Sequence, residues 1–159
     1  MSESDLEKYD TLEKVDDFDE FFGGNLVCKG NVVKPSLFLK NYEYVMVYAA
    51  ASWCPPCKRF SSIITEFLKS KPCKDFNMAV VVIMMDEEKY DYEKYLKKVP
   101  ELYTLSWEDS EDNADRISDQ IGADSLPSGA FINVKTGKLT LCAVNSVKDF
   151  INDGKPIKL

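Results

Sequence analysis

Two stretches of the chain are apolar almost without interruption, Tyr44 to Ala50 (YVMVYAA) and Met78 to Met85 (MAVVVIMM). Runs of this length and composition read as strands covered on both faces. Between them Phe60, Ile63, Ile64, Phe67 and Leu68 recur at helical spacing, which predicts an amphipathic helix from about Pro55 to Lys71. Two buried strands joined by one helix make a right-handed βαβ unit with parallel strands. Upstream, Leu12, Val15, Phe18, Phe21 and Phe22 predict a short amphipathic helix, and Asn25 to Cys28 and Asn31 to Leu39 predict short strands about Lys29-Gly30, with Pro35 at an edge or a break. Downstream, helices are expected within residues 86 to 99 and from Asp112 to Ile121, the latter with Ala114, Ile117 and Ile121 turned inward. Ala130 to Val134 and Lys138 to Val144 flank Lys135-Thr136-Gly137 as a hairpin, and Val147 to Ile151 closes the chain as a helix. The pattern describes an α/β domain: a central mixed sheet with helices on both faces, over residues 25 to 159, preceded by an acidic helical extension over residues 1 to 24.

A chain of 159 residues, 45% hydrophobic, suits one such domain. The net charge of −7 is local: residues 1 to 22 hold nine acids against Lys8 and Lys14, and the rest of the chain balances. No basic stripe is offered to phosphates, so nucleic acid is not an expected partner. No window approaches the roughly 20 apolar residues of a membrane helix, and the acidic start is unlike a signal peptide, so no membrane is expected and the cytoplasm is the expected location. In a reducing compartment five cysteines, Cys28, Cys54, Cys57, Cys73 and Cys142, do not suggest a disulfide framework. A close pair there points to catalysis or metal binding.

That pair lies in Ala51-Ser52-Trp53-Cys54-Pro55-Pro56-Cys57-Lys58, where the first apolar strand gives way to the helix. A structural zinc site needs four ligands. The chain has no histidine and no second CxxC, so no metal is expected. A purely structural disulfide closing so short a loop would restrict the unfolded chain little. Redox chemistry is the favoured reading, and helix position assigns the roles. Cys54, where the helix begins, meets unpaired backbone N–H groups and the positive end of the helix dipole, with Lys58 and Arg59 one turn away. It is the expected nucleophile. Cys57, one turn inside, keeps its proton longer and is the expected resolving thiol. Pro55 and Pro56 take first-turn positions, where a missing N–H costs little and a fixed φ stiffens the dithiol. The redox-active disulfide Cys54-Cys57 is then its own redox centre, with no cofactor required.

Trp53-Cys54-Pro55-Pro56-Cys57 resembles the WCPPC motif of tryparedoxins and nucleoredoxins, within the thioredoxin superfamily. The resemblance runs over roughly residues 25 to 155 and includes VYAAASWCPPCKRF, Asp86-Glu87-Glu88 and Ser125-Leu126-Pro127. It implies the thioredoxin-like fold, a cis Leu126-Pro127 bond opposite the cysteines, and a Leu126 backbone that pairs with a bound substrate segment as an added strand. It also implies that Tyr48 stands where thioredoxins carry a buried acid that handles the proton of the resolving cysteine. A phenol is a feeble base near neutrality, so hydrogen bonding, relay through water, or a plain core tyrosine are the readings there. Trp53 is expected to give substrate an apolar rim, with Pro55 beside it.

Two departures bear on the substrate. Tryparedoxins are similar to this chain in carrying Asp-Glu-Glu, but have tryptophan before it and arginine late in the strand after the hairpin; here these positions are Met85 and Asn145. Glu87 remains to meet an amine, yet trypanothione is not an expected favourite without that aromatic and guanidinium. Ser128-Gly129 suggests a more open groove. Cys142 reads as a core residue on a strand, and Cys73 as an exposed thiol open to glutathionylation. The leading expectation is a monomeric thiol–disulfide oxidoreductase that takes electrons from a low-molecular-weight dithiol, a glutathione-type reductant or a reductase and reduces disulfides in client proteins such as peroxidases. The alternative is a nucleoredoxin-like module that binds partners in a redox-dependent way with little turnover.

Overall fold

A computed structural model describes residues 14–159. Leu12, expected on the first helix, lies outside that range. The elements run α1 (Phe18–Phe22), β1 (Leu26–Cys28), β2 (Asn31–Val33), α2 (Pro35–Leu39), β3 (Tyr44–Ala50), α3 (Pro55–Leu68), α4 (Lys71–Asp75), β4 (Met78–Met84), α5 (Lys89–Leu96), β5 (Thr104–Leu105), α6 (Trp107–Gln120), β6 (Ser128–Asn133), β7 (Leu139–Leu141) and α7 (Ala143–Asp153). The central sheet has the order β4-β3-β6-β7, and a smaller sheet has the order β2-β1-β5. β3 and β4 are parallel, as the βαβ unit requires, while β6 is antiparallel to both β3 and β7.

The two-residue period of β3 explains why it is apolar throughout. Met46, Tyr48 and Ala50 face one core with Phe60, Ile64 and Phe67 of α3 and Val144 and Val147 of α7. Val45, Val47 and Ala49 face the other, with Phe21 and Phe22 of α1, Leu26, and Ile117 of α6. Each such large side chain taken fully from water contributes roughly 1.5–3 kcal/mol. Phe21 and Phe22 belong to this second core, and Val15 N donates to Gly137 O at 2.8 Å, so residues 15 to 22 pack onto the domain.

Several boundaries differ from the sequence expectation, each for a local reason. Val15 precedes the first helix instead of lying on it, because Asp17 caps α1 by accepting from Asp19 N and Glu20 N. The strand expected from Asn31 to Leu39 ends at Val33; Pro35 occupies the first turn of α2, where proline fits. The helix expected to reach Lys71 stops at Leu68, since Pro72 has no N–H to extend it, and Ser70 caps the separate turn α4. α6 begins at Trp107, not Asp112, with the Ser106 hydroxyl accepting from Asp109 N at 3.2 Å. The strand expected to run to Val144 ends at Leu141, and Cys142, at φ 62°, turns the chain into α7.

Candidate functional site

The loop after β3 delivers the cysteine pair to the start of α3. Cys54 is the N-cap of that helix, in extended backbone (φ −94°, ψ 111°), with Pro55 and Pro56 in the first turn. Its sulfur accepts the Cys57 N–H at 3.3 Å, so a backbone donor freed by the helix start points at the expected nucleophile. Both cysteines are free thiols, with their sulfurs 2.6 Å apart. The Cys57 thiol donates to Cys54 Sγ, and the Cys54 thiol donates to Leu126 O at 3.4 Å. Cys57 is sealed at 0% exposure and Cys54 reaches the surface at 5%. Burial, and after it the hydrogen bond to Cys54, push the Cys57 thiol up to about 12. The pair is therefore asymmetric: one sulfur has a backbone donor aimed at it and belongs to the residue that keeps some exposure, and the other holds its proton firmly.

The Leu126-Pro127 peptide bond is cis and the Leu126 carbonyl lies against Cys54. Trp53 stands beside the pair with 62% of its surface exposed, far more than an indole held for packing needs. Tyr48 is fully buried in β3, its ring edge-on to Phe60 at 5.2 Å. Its hydroxyl lies 3.2 Å from the Tyr95 hydroxyl, which in turn donates to Cys57 O at 3.4 Å. Tyr95 has one hydrogen and spends it on Cys57 O, so Tyr48 is the donor of the pair. Burial first, and then the phenol of Tyr95, hold the Tyr48 proton well above the ordinary phenol range. Tyr95 was not foreseen, because nothing in the sequence around it marks it as a partner of Tyr48.

A second unforeseen group is Asp86, placed just beyond β4. Ser52 N and Ser52 Oγ both donate to Asp86 Oδ1 at 2.9 Å, which ties this carboxyl to the loop that carries Cys54. The other oxygen, Oδ2, is buried with no protein partner. Burial raises the Asp86 carboxyl above its ordinary value, the Ser52 bonds oppose that, and Asp91 adds to it.

Among the residues expected to touch substrate, Met85 and Glu87 lie together on a cleft of about 370 Å³ that Asp86, Trp107, Glu111 and Asp115 also line. Trp107 reaches this cleft from α6. Asn145 is exposed on the first turn of α7; the expected strand position is corrected, because the chain has already left β7 at Cys142. Gly129 is buried in β6, where an added Cβ would stand 2.6 Å from Tyr48 Cα. Its missing side chain lets β6 approach β3. Cys142 is exposed rather than in the core. Cys73 is buried, not exposed: its one-turn helix turns the thiol inward to donate to Met78 O at 3.5 Å, and burial pushes it up to about 11. Cys28 is half-buried and donates to Pro100 O at 3.4 Å.

A CxxC pair capping a helix after a central strand, faced by a cis-proline loop, defines a thioredoxin-type dithiol site. The family described as thioredoxin-like matches residues 41–139. Tryparedoxin of Trypanosoma brucei brucei is 36% identical over 117 residues, covering 72% of this chain and 76% of that protein. Native tryparedoxin I of Crithidia fasciculata superposes with a TM-score of 0.75 at 27% identity, covering 89% of this chain and 98% of the other. A tryparedoxin II complexed with glutathionylspermidine superposes with a TM-score of 0.73 at 23% identity, over 86% of this chain and 92% of the other, a likeness of fold. The chain belongs to the thioredoxin-like family and, within it, to the tryparedoxin group. Its chemistry is that of a dithiol–disulfide oxidoreductase.

Proposed function

We propose that the protein carries reducing equivalents from a low-molecular-weight thiol to disulfides of client proteins, peroxidases among them, in a reducing compartment such as the cytoplasm. The observation that carries this reading is the asymmetry of the pair: sulfurs 2.6 Å apart, one on a residue that keeps 5% exposure and with a backbone donor on it, the other sealed and protonated. The Cys54 thiolate attacks one sulfur of the client disulfide, an S–S bond forms to Cys54, and the other client sulfur leaves as a thiolate. Cys57 then attacks Cys54 Sγ, the bond to the client breaks, and the client leaves fully reduced while Cys54-Cys57 closes as the disulfide. Two thiols of the external reductant restore the dithiol by the reverse sequence. No cofactor enters either half. Trp53, Pro55 and the Leu126-Pro127 backbone make the face on which the client segment lies, its extended backbone supported by Leu126. Met85, Glu87 and Asn145 are the positions at which the choice of reductant is made.

The test is a trap combined with turnover. Cys54→Ser is expected to abolish insulin reduction, and Cys57→Ser to react once and accumulate as a mixed disulfide through Cys54. Alkylation of the reduced parent at mildly acidic pH should label Cys54 ahead of Cys57. Preferential labelling of Cys57 would reverse the assignment, and absence of turnover with every thiol reductant tried would leave a redox-dependent binding module instead.

A further inference from the structure

The resolving step needs somewhere to put a proton. Cys57 must lose the proton on its sulfur as it attacks Cys54, yet it is sealed from solvent. Tyr48 is a poor receiver for it, because its own proton is directed at Tyr95. The described residues around the pair hold one buried carboxyl, Asp86, and it is hydrogen-bonded to the loop that carries them. The β3 and β4 strands pair in parallel with Ala50 level with Met84. Two residues further along both chains, Ser52 and Asp86 meet at the same offset through two bonds of 2.9 Å. Both bonds fall on Oδ1. Oδ2 is left buried and unpaired, a costly arrangement for an ionised carboxylate and a natural one for a group that takes up a proton.

We propose that Asp86, aligned by Ser52, accepts the Cys57 proton during resolution of the mixed disulfide. The inference rests on the oxidoreductase reading above. As the Cys57 electron pair forms the bond to Cys54 Sγ, the proton passes to Asp86 Oδ2, the Cys54–client bond breaks, and the client departs as a thiolate. The Asp86 proton then passes to that thiolate or to water, so charge and mass balance. The electrostatics agree: the Asp86 charge is among the influences that hold the Cys57 proton on. Asp91 from α5, Glu87 next in the chain, and Glu111 and Asp115 across the cleft from α6 are the acids around Asp86. Lys58, Lys94 and Lys98 line a small pocket with Ser52 and Tyr95. The acids favour protonation of Asp86 and the lysines oppose it, so these seven groups set the pH at which the acceptor is ready.

The experiment is stopped-flow reaction of the full-length reduced protein, in a Cys28→Ser, Cys142→Ser background that silences the more accessible thiols outside the pair, with dithiobis-nitrobenzoate, which releases one coloured thiolate when Cys54 attacks and a second when Cys57 resolves. Asp86→Asn keeps an oxygen for both Ser52 bonds and removes the acceptor. Its first phase is expected within about twofold of the parent, while its second slows at pH 7 by roughly tenfold to a hundredfold, the scale of a lost proton acceptor. That second phase should climb with pH where the parent is already level. In the same variant the Cys57 titration, followed by thiolate absorbance, should move down, because a repelling charge has gone. A merely structural role would not slow the step while making the thiol more acidic. An unchanged second phase, or an unmoved Cys57 titration, overturns the proposal. Should Asp86→Asn fail to fold, Ser52→Ala retains the carboxylate and deletes one anchoring bond. It is expected to shift the acid limb of the second phase to higher pH, and an unshifted limb overturns the proposal equally. A parent that shows no first phase would sink the oxidoreductase reading itself, a result distinguishable from failure of the Asp86 step alone.

Discussion

Replacing either tyrosine of the buried pair by phenylalanine removes one oxygen, yet the two replacements are expected to differ. In Tyr48→Phe the ring keeps its edge contact with Phe60, and Tyr95 still donates to Cys57 O. One buried hydrogen bond is lost and no donor is stranded, so the cost is about 1 kcal/mol. In Tyr95→Phe the Tyr48 hydroxyl, at 0% exposure, loses its acceptor at 3.2 Å, and Cys57 O loses a side-chain donor. A stranded buried donor adds roughly 1–3 kcal/mol to the lost bond. The double variant should therefore be more stable than the sum of the singles implies, because removing the Tyr48 hydroxyl also removes the stranded donor. Urea unfolding of the reduced protein, with all four members of the cycle at one pH, measures this. The dithiobis-nitrobenzoate assay run on the same samples separates stability from chemistry: Tyr48→Phe should resolve the mixed disulfide within about threefold of the parent, well short of the loss that follows when a proton acceptor is removed. Additive singles would refute the donor order argued from the structure. A selective slowing of resolution in Tyr48→Phe beyond that would return the proton relay to Tyr48.

The buried thiols make stability depend on alkaline pH. Cys57 and Cys73 are pushed up to about 12 and about 11 in the folded chain, so the native state keeps protons that the unfolded state releases from about 9 upward. Their contribution is complete below that value and is lost as pH climbs through the raised values: roughly 2–3 kcal/mol should go between pH 8 and pH 10 in the reduced protein, and about half of that in the oxidised one, where Cys57 no longer titrates. Denaturant midpoints at the two pH values, in both redox states, check this; equal losses in the two states would argue against the Cys57 assignment. For the reductant, glutathione and glutathionylspermidine, compared at equal thiolate concentration, are expected to reduce the oxidised protein at rates within about tenfold of each other, since Met85 and Asn145 offer neither an aromatic face nor a guanidinium. A larger preference for the cationic thiol would refute that, and would assign the cleft of Trp107, Glu111 and Asp115 to the polyamine.

What could be read from the sequence divides by the range of the interaction. β3, β4 and α3 were legible because their signals are local: unbroken apolar runs, and a helical stripe starting at two prolines. The cysteine roles followed from the same local geometry, since the position of Cys54 at the start of a helix is enough to separate it from Cys57. Other features are set by neighbours the sequence does not announce. Cys73 sits between Lys71 and Lys74 and looks exposed, but a one-turn helix carries both lysines outward and the thiol inward. Cys142 follows an apolar strand and looks buried, but a positive φ turns the chain there and leaves it in solvent. Trp107 carries no apolar periodicity of its own; the signal that places it is the Ser106 cap three residues before Asp109, a weaker mark than a stripe.

The proton path is the sharpest case. The resemblance to thioredoxins leads to Tyr48, six residues before the nucleophile, where those proteins carry a buried acid. The groups that matter lie across the sheet. Once β3 and β4 are recognised as parallel, the remaining unknown is their register, and the observed pairing of Tyr44 with Met78 through Ala50 with Met84 fixes it. Carrying that register two residues past the strand ends brings Ser52 level with Asp86, which is where the two 2.9 Å bonds are found. The acids of Asp86-Glu87-Glu88 are thereby divided: Glu87 and Glu88 stay in water, and Asp86 is drawn under the active loop with one oxygen unpaired. A parallel pair of strands transmits position without a turn to mark it, so a motif on one strand can be completed by a residue 34 positions later that no local pattern singles out.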